Sequence, residues 1–391
     1  MDSALARGVS PSASLFSTAF SALDDVARRG FRHLVVAYSG GKDSTAVAIL
    51  VYRWIRERAP SVSVTLLHGD TLSEVEPVEV WARRFMEEYR AKLSQYVDAE
   101  VAIVAPEPTE TFFWRVFVRG YPAPSFKWRW CVRPLKFAPA QRFIAKLGGD
   151  AVVVVGLRDE ESAERARLMA RRFGACQPGS CLGAFFSMAD GVPKVAPIRN
   201  WTTEQVWAFL RAQRDFDVSD LVRLYATTRG RQGCWHCTLV RVHAGLYVEP
   251  RYAWVDALRL IYRAVSDVAE LRWAKDTGYS RLGGLTALGR AVIYRAVPIV
   301  EERSGHRFYG LDAASVGGYT LREIFYELDV ERADAVVRGV DNTERWVGMR
   351  VLRETRVPRE VAERILSIVE RRDVMGGAVA RLAGAVLEEV A

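Results

Sequence analysis

Short apolar runs alternate with longer segments of helical spacing over the first half of the chain. Runs rich in β-branched residues predict strands at 34–38, 62–67, 101–104, 151–155 and 194–198. Apolar residues three and four apart predict helices at 15–29, 44–58, 75–93 and 139–147. Strands that alternate with helices favour one parallel sheet with right-handed crossovers. We therefore predict an α/β fold whose ligands bind at the carboxyl ends of the strands.

The pattern changes after about residue 243, where helical segments continue without clear strands. Thr320 and Glu323 have the spacing of a capping box that opens one of these segments. The sequence therefore predicts three parts: an N-terminal helical segment at 1–30, a sheet-containing domain at 31–243 and a mainly helical C-terminal domain at 244–391.

The composition is that of a soluble globular protein, since 50% of the 391 residues are apolar and 26% are charged. No apolar run reaches the roughly 18–20 residues that a transmembrane helix needs. The first residues also lack the charged and then apolar layout of a signal peptide. We expect a cytoplasmic protein with no membrane partner. The oligomeric state stays open, a homo-oligomer included.

The net charge of +8 is concentrated in one aromatic segment. Residues 111–175 hold 13 Lys and Arg against 5 Asp and Glu. Basic groups interleaved with aromatic rings suit phosphates and stacked bases. An aromatic core beside a solvated basic face explains the same pattern, and a nucleotide alone would be a sufficient anion. Nucleic acid is therefore one candidate partner.

The clearest chemical signal is the turn after the first predicted strand, which reads Tyr38-Ser39-Gly40-Gly41-Lys42-Asp43-Ser44. Paired glycines let backbone N–H groups approach an anion, and a helix N-terminus adds partial positive charge. Lys42 supplies a full charge, while Ser39 and Ser44 supply hydroxyl groups. The spacing is not that of a Walker A loop, and an ordinary glycine-rich turn is the alternative. Together these residues predict a phosphate site.

Residues 39–44, called the PP-loop below, resemble the PP-loop of the ATP pyrophosphatase superfamily. That superfamily includes sulfonucleotide (PAPS and APS) reductases, tRNA thiolation enzymes and DNA phosphorothioation sulfurtransferases. The resemblance implies a Rossmann-like parallel sheet that binds an adenine nucleotide and acts at its α-phosphate. It also implies that ATP and Mg²⁺ bind at the PP-loop, with Asp43 or Asp70 helping to place the Mg²⁺.

Two further strand ends extend the resemblance. Asp70 follows the second strand in a partial match to the Asp-Thr-Gly of the reductase branch, although a plain turn is the alternative. The fourth strand runs into Val155-Gly156-Leu157-Arg158-Asp159-Glu160-Glu161-Ser162, which resembles the G-x-R-x-x-E-S signature of the reductase and phosphorothioation branches. Gly156 would permit close backbone approach, and Arg158 offers a bidentate fork for phosphate or sulfate. A surface helix start with charge pairs is the alternative for the end of this motif.

The five cysteines are Cys131, Cys176, Cys181, Cys234 and Cys237. The last two form a C-x-x-C pair and the middle two a C-x₄-C pair, and such pairs chelate metal centres. Disulfides are the alternative, although most cytosols keep thiols reduced.

The segment from Trp130 to Lys136 resembles the Cys-x-x-x-x-Lys segment of both branches. Cluster-bearing adenylylsulfate reductases hold a [4Fe-4S] cluster with a Cys-Cys pair there and a later Cys-x-x-Cys. Trp130 stands where the first Cys of that pair would be. The resemblance thus implies a cluster on Cys131 and the later pair, with Cys176 or Cys181 as the fourth ligand. A Zn²⁺ site built from the two pairs, with Cys131 free, is the competitor.

Sulfonucleotide reductases carry a reactive Cys in a C-terminal tail, whereas this sequence has no cysteine between Thr238 and Ala391. This difference argues against the reductase branch. The motifs Trp-Cys-x-x-x-Leu-Lys and Gly-Cys-Trp-x-Cys-Thr resemble the phosphorothioation sulfurtransferases more closely than the reductases. We therefore predict an enzyme that cleaves ATP at the α-phosphate, with pyrophosphate release, to transfer sulfur to an acceptor. The donor is a protein or sulfide, and nucleic acid is one candidate acceptor. Sulfonucleotide reduction, tRNA thiolation and a non-catalytic nucleotide or nucleic-acid binding module are the alternatives.

The predicted site residues follow from these motifs. The predicted catalytic residues are Lys42, Asp43, Lys136 and Arg158. The predicted nucleotide-binding residues are Ser39, Gly40, Gly41, Lys42, Asp43, Ser44, Asp70, Gly156 and Arg158. The predicted metal ligands are drawn from the five cysteines.

Overall fold

The computed structural model describes residues 13–161, 185–187, 193–226, 233–274 and 282–391. The chain forms two compact units that interleave along the sequence, unlike the three consecutive parts that we predict. Unit 1 comprises Met1–Gly69, Glu79–Val104 and Ala140–Val222, and unit 2 comprises Asp70–Val78, Ala105–Pro139 and Arg223–Ala391. The predictions for Ser162, Cys176 and Cys181 lie outside the described residues.

Unit 1 is built on a six-stranded sheet. Its strands are β1 (His33–Tyr38), β2 (Ser63–Gly69), β3 (Ala99–Val104), β4 (Ala151–Val154), β5 (Phe185–Ser187) and β6 (Pro193–Val195). Their order is β3-β2-β1-β4-β6-β5, and every neighbouring pair is parallel except β5 with β6. All five predicted strands lie in the parallel part, so the predicted Rossmann-like α/β fold is confirmed.

Helices accompany the sheet at the predicted places. The helices that begin in the first half of the chain are α1 (Ala13–Arg28), α2 (Lys42–Arg58), α3 (Glu76–Leu93), α4 (Phe112–Phe117) and α5 (Ala138–Ile144), of which α4 belongs to unit 2. They are followed by α6 (Thr203–Ala212) and α7 (Ser219–Ala226). Val35, Leu67 and Val153, one from each central strand, form a core cluster with Phe143 and Ile144 of α5. This core explains why these strands read as continuous apolar runs, since parallel strands are buried on both faces.

Unit 2 is mainly helical, as predicted for the C-terminal part. Its later helices are α8 (Ala253–Val265), α9 (Ala287–Ser304), α10 (Tyr309–Ala313), α11 (Val330–Val340), α12 (Met349–Glu354), α13 (Arg359–Arg372) and α14 (Ala378–Val390). The central helix α8 packs against α9, α13 and α14. Thr320 and Glu323 exchange the two hydrogen bonds of the predicted capping box.

Two short antiparallel ribbons correct the expectation of a C-terminal part without strands. They pair β7 (Arg272–Ala274) with β8 (Leu282–Leu285), and β9 (Ser315–Val316) with β10 (Tyr319–Thr320). Strands of two to four residues are too short for their alternation to be recognised in a sequence. Within the described ranges, no helix combines the length and apolar character needed to cross a bilayer.

Candidate functional site

The PP-loop joins the end of β1 to the start of α2 in unit 1, as the sequence predicts. Gly40 has a φ of +72°, and a Cβ there would lie 3.3 Å from the Cβ of Ala82. A side chain at this position would therefore be strained. The Trp81 indole Nε1 donates a 2.9 Å hydrogen bond to the Gly40 carbonyl. Glycine and tryptophan together fix the backbone path of the loop.

The hydroxyl groups of the PP-loop bond to its own backbone. Ser44 Oγ donates to the Gly41 carbonyl over 3.0 Å and accepts from the Ser39 N–H over 3.2 Å. Gly41 occupies the N-cap of α2, where it has no side chain to accept the first helical N–H groups. A helix that starts in this way leaves those N–H groups, and their partial positive charge, for an anion.

Lys42 and Asp43 form an ion pair at the first turn of α2. The Nζ and Oδ2 atoms are 2.6 Å apart, and the side chains are only 14% and 16% exposed. A cation suited to phosphate thus lies beside a carboxylate of the type that Mg²⁺ prefers. The structure brings these two predicted catalytic residues together.

The segment after β4 approaches the start of α2 so closely that only glycine fits at position 156. A Cβ on Gly156 would lie 2.9 Å from the carbonyl carbon and oxygen of Asp43 and 3.1 Å from the Ser44 nitrogen. These are backbone atoms, so they cannot move aside without moving α2. The close approach predicted at Gly156 is therefore made, in this structure, to the protein's own helix.

Arg158 is buried, with 2% of its side chain exposed, and it binds protein acceptors. Its Nε donates to Asp43 Oδ1 over 2.7 Å, and its Nη1 donates to Glu160 over 2.8 Å and to the Trp201 carbonyl over 3.0 Å. Its Nη2 reaches Thr203 Oγ1 over 3.2 Å. Arg158 therefore holds Asp43, and with it the start of α2. Its contact with a phosphate stays a prediction.

Asp70 belongs to unit 2, whereas the PP-loop belongs to unit 1. Its Oδ1 accepts a 2.7 Å hydrogen bond from the N–H of Leu72, which has a φ of +55°. The next residue, Thr71, donates to the carboxylate of Glu74. Asp70 thus builds a tight turn, and its role in binding nucleotide or Mg²⁺ stays a prediction.

Three of the predicted metal ligands lie in unit 2 as free thiols, namely Cys131, Cys234 and Cys237. The buried Cys234 packs on the turn just described, with its Sγ 3.3 Å from Thr71 Oγ1. The neighbouring Trp235 N–H donates to the Ser73 carbonyl over 2.8 Å. The Cys-x-x-Cys loop is therefore fixed by the chain that follows β2. Cys176 and Cys181 lie outside the described residues.

Lys136 is electrostatically coupled to all three thiols. It lies on the π-helical turn Arg133–Phe137, five residues after Cys131 in the predicted Cys-x-x-x-x-Lys segment. The thiolate of Cys234 above all, together with Glu74, holds the pKa of Lys136 above its usual range. Burial raises the pKa of Cys234 to about 12 and that of Cys131 to about 11. These thiols therefore need a cation to be deprotonated, and Lys136 is one.

Arg259 is a supporting residue that the sequence did not reveal. It is 1% exposed on α8, where it forms an ion pair with the buried Asp256. Its guanidinium also donates to three carbonyls of the chain after the Cys-x-x-Cys pair, those of Cys237 at 3.2 Å, Val240 at 2.8 Å and Arg241 at 3.0 Å. An Arg in an apolar helix gives no local sign of these partners, so only the folded chain shows that it anchors the cysteine loop.

Residues 33–240 match the sequence profile of the phosphoadenosine phosphosulfate reductase domain, which is just over half of the chain. The chain belongs to this family. The matched range contains the PP-loop, Gly156, Arg158 and all five cysteines. The family inferred from the PP-loop is thereby confirmed, whereas the phosphorothioation branch of it stays a prediction.

Two known proteins similar to this family member illustrate how far the likeness extends. An adenosine 5'-phosphosulfate reductase of Allochromatium vinosum is 29% identical over 182 residues, which is 46% of this chain and 60% of that protein. The crystal structure of a phosphoadenylyl-sulfate (PAPS) reductase from Candida auris, a phosphate complex, is 19% identical with a TM-score of 0.34. That alignment covers 49% of this chain and 78% of the other. Each alignment covers less than half of this chain, so neither one shows the activity of the whole chain.

Proposed function

We propose that this family member binds ATP and Mg²⁺ at the PP-loop, cleaves at the α-phosphate and uses the product for sulfur transfer. An acceptor oxygen attacks the α-phosphorus, the bond to the β-phosphate oxygen breaks, and pyrophosphate leaves. Sulfide, or a persulfide donor with a thiol reductant, then displaces AMP from the adenylated acceptor. The observation that carries this proposal is the PP-loop itself, an uncapped helix start with Lys42 at its first position.

Within the first step, the chain's own residues bind and orient the nucleotide. The first N–H groups of α2 and the Lys42 ammonium attract the pyrophosphate and stabilise its charge as it leaves. Asp43 is the PP-loop carboxylate that would help to place Mg²⁺, and Lys42 and Arg158 hold its two oxygens through contacts of 2.6 and 2.7 Å. Gly156 supports the same position from the backbone. In this proposal Arg158 acts mainly as a positioning residue.

The donor set of unit 2 fits an iron–sulfur cluster with one further thiolate. Cys131, Cys234 and Cys237 are free, and the fourth ligand would be Cys176 or Cys181. Zinc on the two pairs, with Cys131 free, stays the alternative.

A bound cluster would supply a site that carries or binds sulfur. Lys136 would balance the negative charge of the thiolates, and Arg259 would keep the loop after Cys237 in place. The proposed sulfur chemistry thus depends on Cys131, Cys234 and Cys237 of unit 2 together with one further thiolate, whereas the nucleotide chemistry depends on residues of unit 1.

The first test is the release of pyrophosphate from ATP by the full chain, purified without oxygen and supplied with Mg²⁺, sulfide and nucleic acid as the candidate acceptor. We expect Lys42→Ala to abolish release, because the loop loses the charge that stabilises the leaving group. Lys146→Ala removes an exposed lysine of the same unit and should leave release unchanged. Full activity of Lys42→Ala would contradict the assignment.

Reduction of adenylyl sulfate is the second candidate, and the relative from Allochromatium vinosum favours it by its name. The same preparation, given adenylyl sulfate or its 3′-phosphorylated form with a thiol reductant, would then release sulfite. Sulfite without any ATP cleavage would replace the first proposal. Pyrophosphate release without sulfite would establish it over the second.

A further inference from the structure

The turn at residues 125–129 exposes two aromatic rings and two cations side by side, and we call it the aromatic turn. All five residues are exposed, and Phe126 and Trp128 are 73% and 49% accessible. Ser125 and Trp128 close the turn with backbone hydrogen bonds of 3.2 and 3.1 Å. The Arg129 guanidinium lies 5.5 Å from the centre of the Phe126 ring. Large apolar groups gathered on an exposed tip are typical of a binding surface.

Tyr121 connects the aromatic turn to a pocket within unit 2. Its ring stacks on Trp128, with centroids 5.4 Å apart and planes inclined by 22°. The pocket measures about 300 Å³ and is lined by Arg119, Tyr121, Thr343, Glu344 and Arg345. A stacked aromatic pair therefore leads directly into a polar pocket that contains two arginines.

The charges around this surface leave an excess of positive charge. Arg119 is balanced by Glu110 and Asp341, at 2.9 and 2.6 Å. Among the described residues, Arg345 makes no hydrogen bond or ion pair with the protein, and Glu344 lies in the same pocket. The buried Arg290 adds a charge beneath the pocket wall, since a Cβ on Gly120 would lie 2.5 Å from its Nη2. With Lys127 and Arg129 on the turn, and Arg115, which shares Glu110 with Arg119, six cations oppose three carboxylates.

This combination fits a strand of nucleic acid better than a single nucleotide. One nucleotide would occupy one ring and one phosphate site, whereas Phe126 and Trp128 offer two stacking faces with Lys127 between them. The separate pocket at Arg345 offers a further place for a phosphate. Bases reach such rings only when they are unpaired, so the surface selects single strands. Trp128 also precedes Cys131 by three positions, which places the surface beside the cysteine segment in the chain.

We propose that the aromatic turn, Tyr121 and the pocket at Arg345 form a binding site for single-stranded nucleic acid. Bases stack on Trp128 and Phe126, and a backbone phosphate enters the pocket. The site rests on the proposed function for its purpose, because it would hold the acceptor of the transferred sulfur. Binding itself requires neither ATP nor a sulfur donor.

The test is the binding of a fluorescently labelled single-stranded oligonucleotide to the full chain, measured by anisotropy over a range of salt concentrations without ATP. The Trp128→Ala variant loses the ring on which one base stacks, so it should bind the oligonucleotide about fivefold more weakly, or weaker still. Arg345→Ala should lower the salt slope by about 0.7, the value for one phosphate contact of a single strand. Matched controls are Tyr96→Ala, an aromatic residue of unit 1 that is 47% exposed, and Arg359→Ala, a side chain that is 88% exposed.

Several outcomes decide the matter. Unchanged affinity of Trp128→Ala, or equally tight binding of inorganic polyphosphate, overturns the proposal. Preference for the duplex of the same sequence, or for anionic lipid vesicles, overturns it as well. Lys42→Ala should bind the oligonucleotide like the unmodified chain. Intact oligonucleotide binding without ATP cleavage by the unmodified chain would refute the proposed function alone, and ATP cleavage without oligonucleotide binding would refute this proposal alone.

Discussion

At the scale of single residues, Gly156 ties a sequence motif to a packing requirement. The motif alone suggests that a ligand needs the missing side chain, but the nearest atoms to an added Cβ belong to the backbone of Asp43 and Ser44. Glycine is required there because β4 and the start of α2 meet at that point. The same contact keeps Lys42 and Asp43 where a nucleotide would need them.

Gly156→Ala should therefore disturb both stability and nucleotide binding. The added methyl group would overlap Asp43 at 2.9 Å, and overpacking of this kind costs about 1–3 kcal/mol in the free energy of unfolding. The measurements are urea unfolding and titration with Mg²⁺ and ATP. Gly149→Ala is the matched control, since a Cβ there meets nothing within 4 Å. Equal behaviour of the two variants would show that α2 can shift without consequence.

At the scale of elements, helix α8 acts as a support for the cysteine loop. Arg259 is bound to Asp256 on its own helix and to three carbonyls of residues 237–241. Tyr247 also donates to Asp256. One buried ion pair thus joins a helix of the C-terminal half to the loop that carries Cys234 and Cys237.

Arg259→Met should lower the free energy of unfolding by about 3–5 kcal/mol, because it leaves the carboxylate of Asp256 buried without its cation. The double variant Asp256→Leu/Arg259→Met removes that uncompensated charge and should recover part of the loss. Neither variant restores the hydrogen bonds to the loop carbonyls, so both should bind less metal than the unmodified chain. Chemical unfolding and metal analysis separate the two effects. Full metal content in both variants would show that the loop with Cys234 and Cys237 keeps its conformation without the hydrogen bonds from Arg259.

At the scale of the whole molecule, the sequence predicted the features that depend on neighbouring residues better than the contacts between residues far apart in the chain. The PP-loop and the strand–helix alternation were recognisable because their residues are contiguous or periodic. The partners of Arg158 and Arg259 lie far away in sequence, and neither guanidinium carries a pattern that points to them. The two ribbons were missed because their strands are too short for alternation. The sequence therefore predicted the PP-loop as the turn between β1 and α2, while the residues that hold it became visible only in the folded chain.

The metal content of the whole chain is the prediction at this scale. We expect anaerobic preparations to contain about four iron atoms per chain with matching sulfide. Cys131→Ala, Cys234→Ala and Cys237→Ala should each reduce the iron content strongly, as should one of Cys176→Ala and Cys181→Ala but not the other. Zinc in place of iron, with Cys131→Ala unaffected, would establish the competing site on the two pairs.

The interleaving of the two units has a consequence for synthesis on the ribosome. Residues 105–139 emerge early, rich in aromatic side chains and carrying Cys131, but their partners at residues 223–391 are made much later. At about 5–20 residues per second, the early segment waits for roughly 10–50 s before its unit can close. During that interval its rings and thiol are open to chaperones, oxidants and neighbouring chains. The yield of folded protein in cells should therefore rise with chaperone supply, even when the folded protein itself is stable.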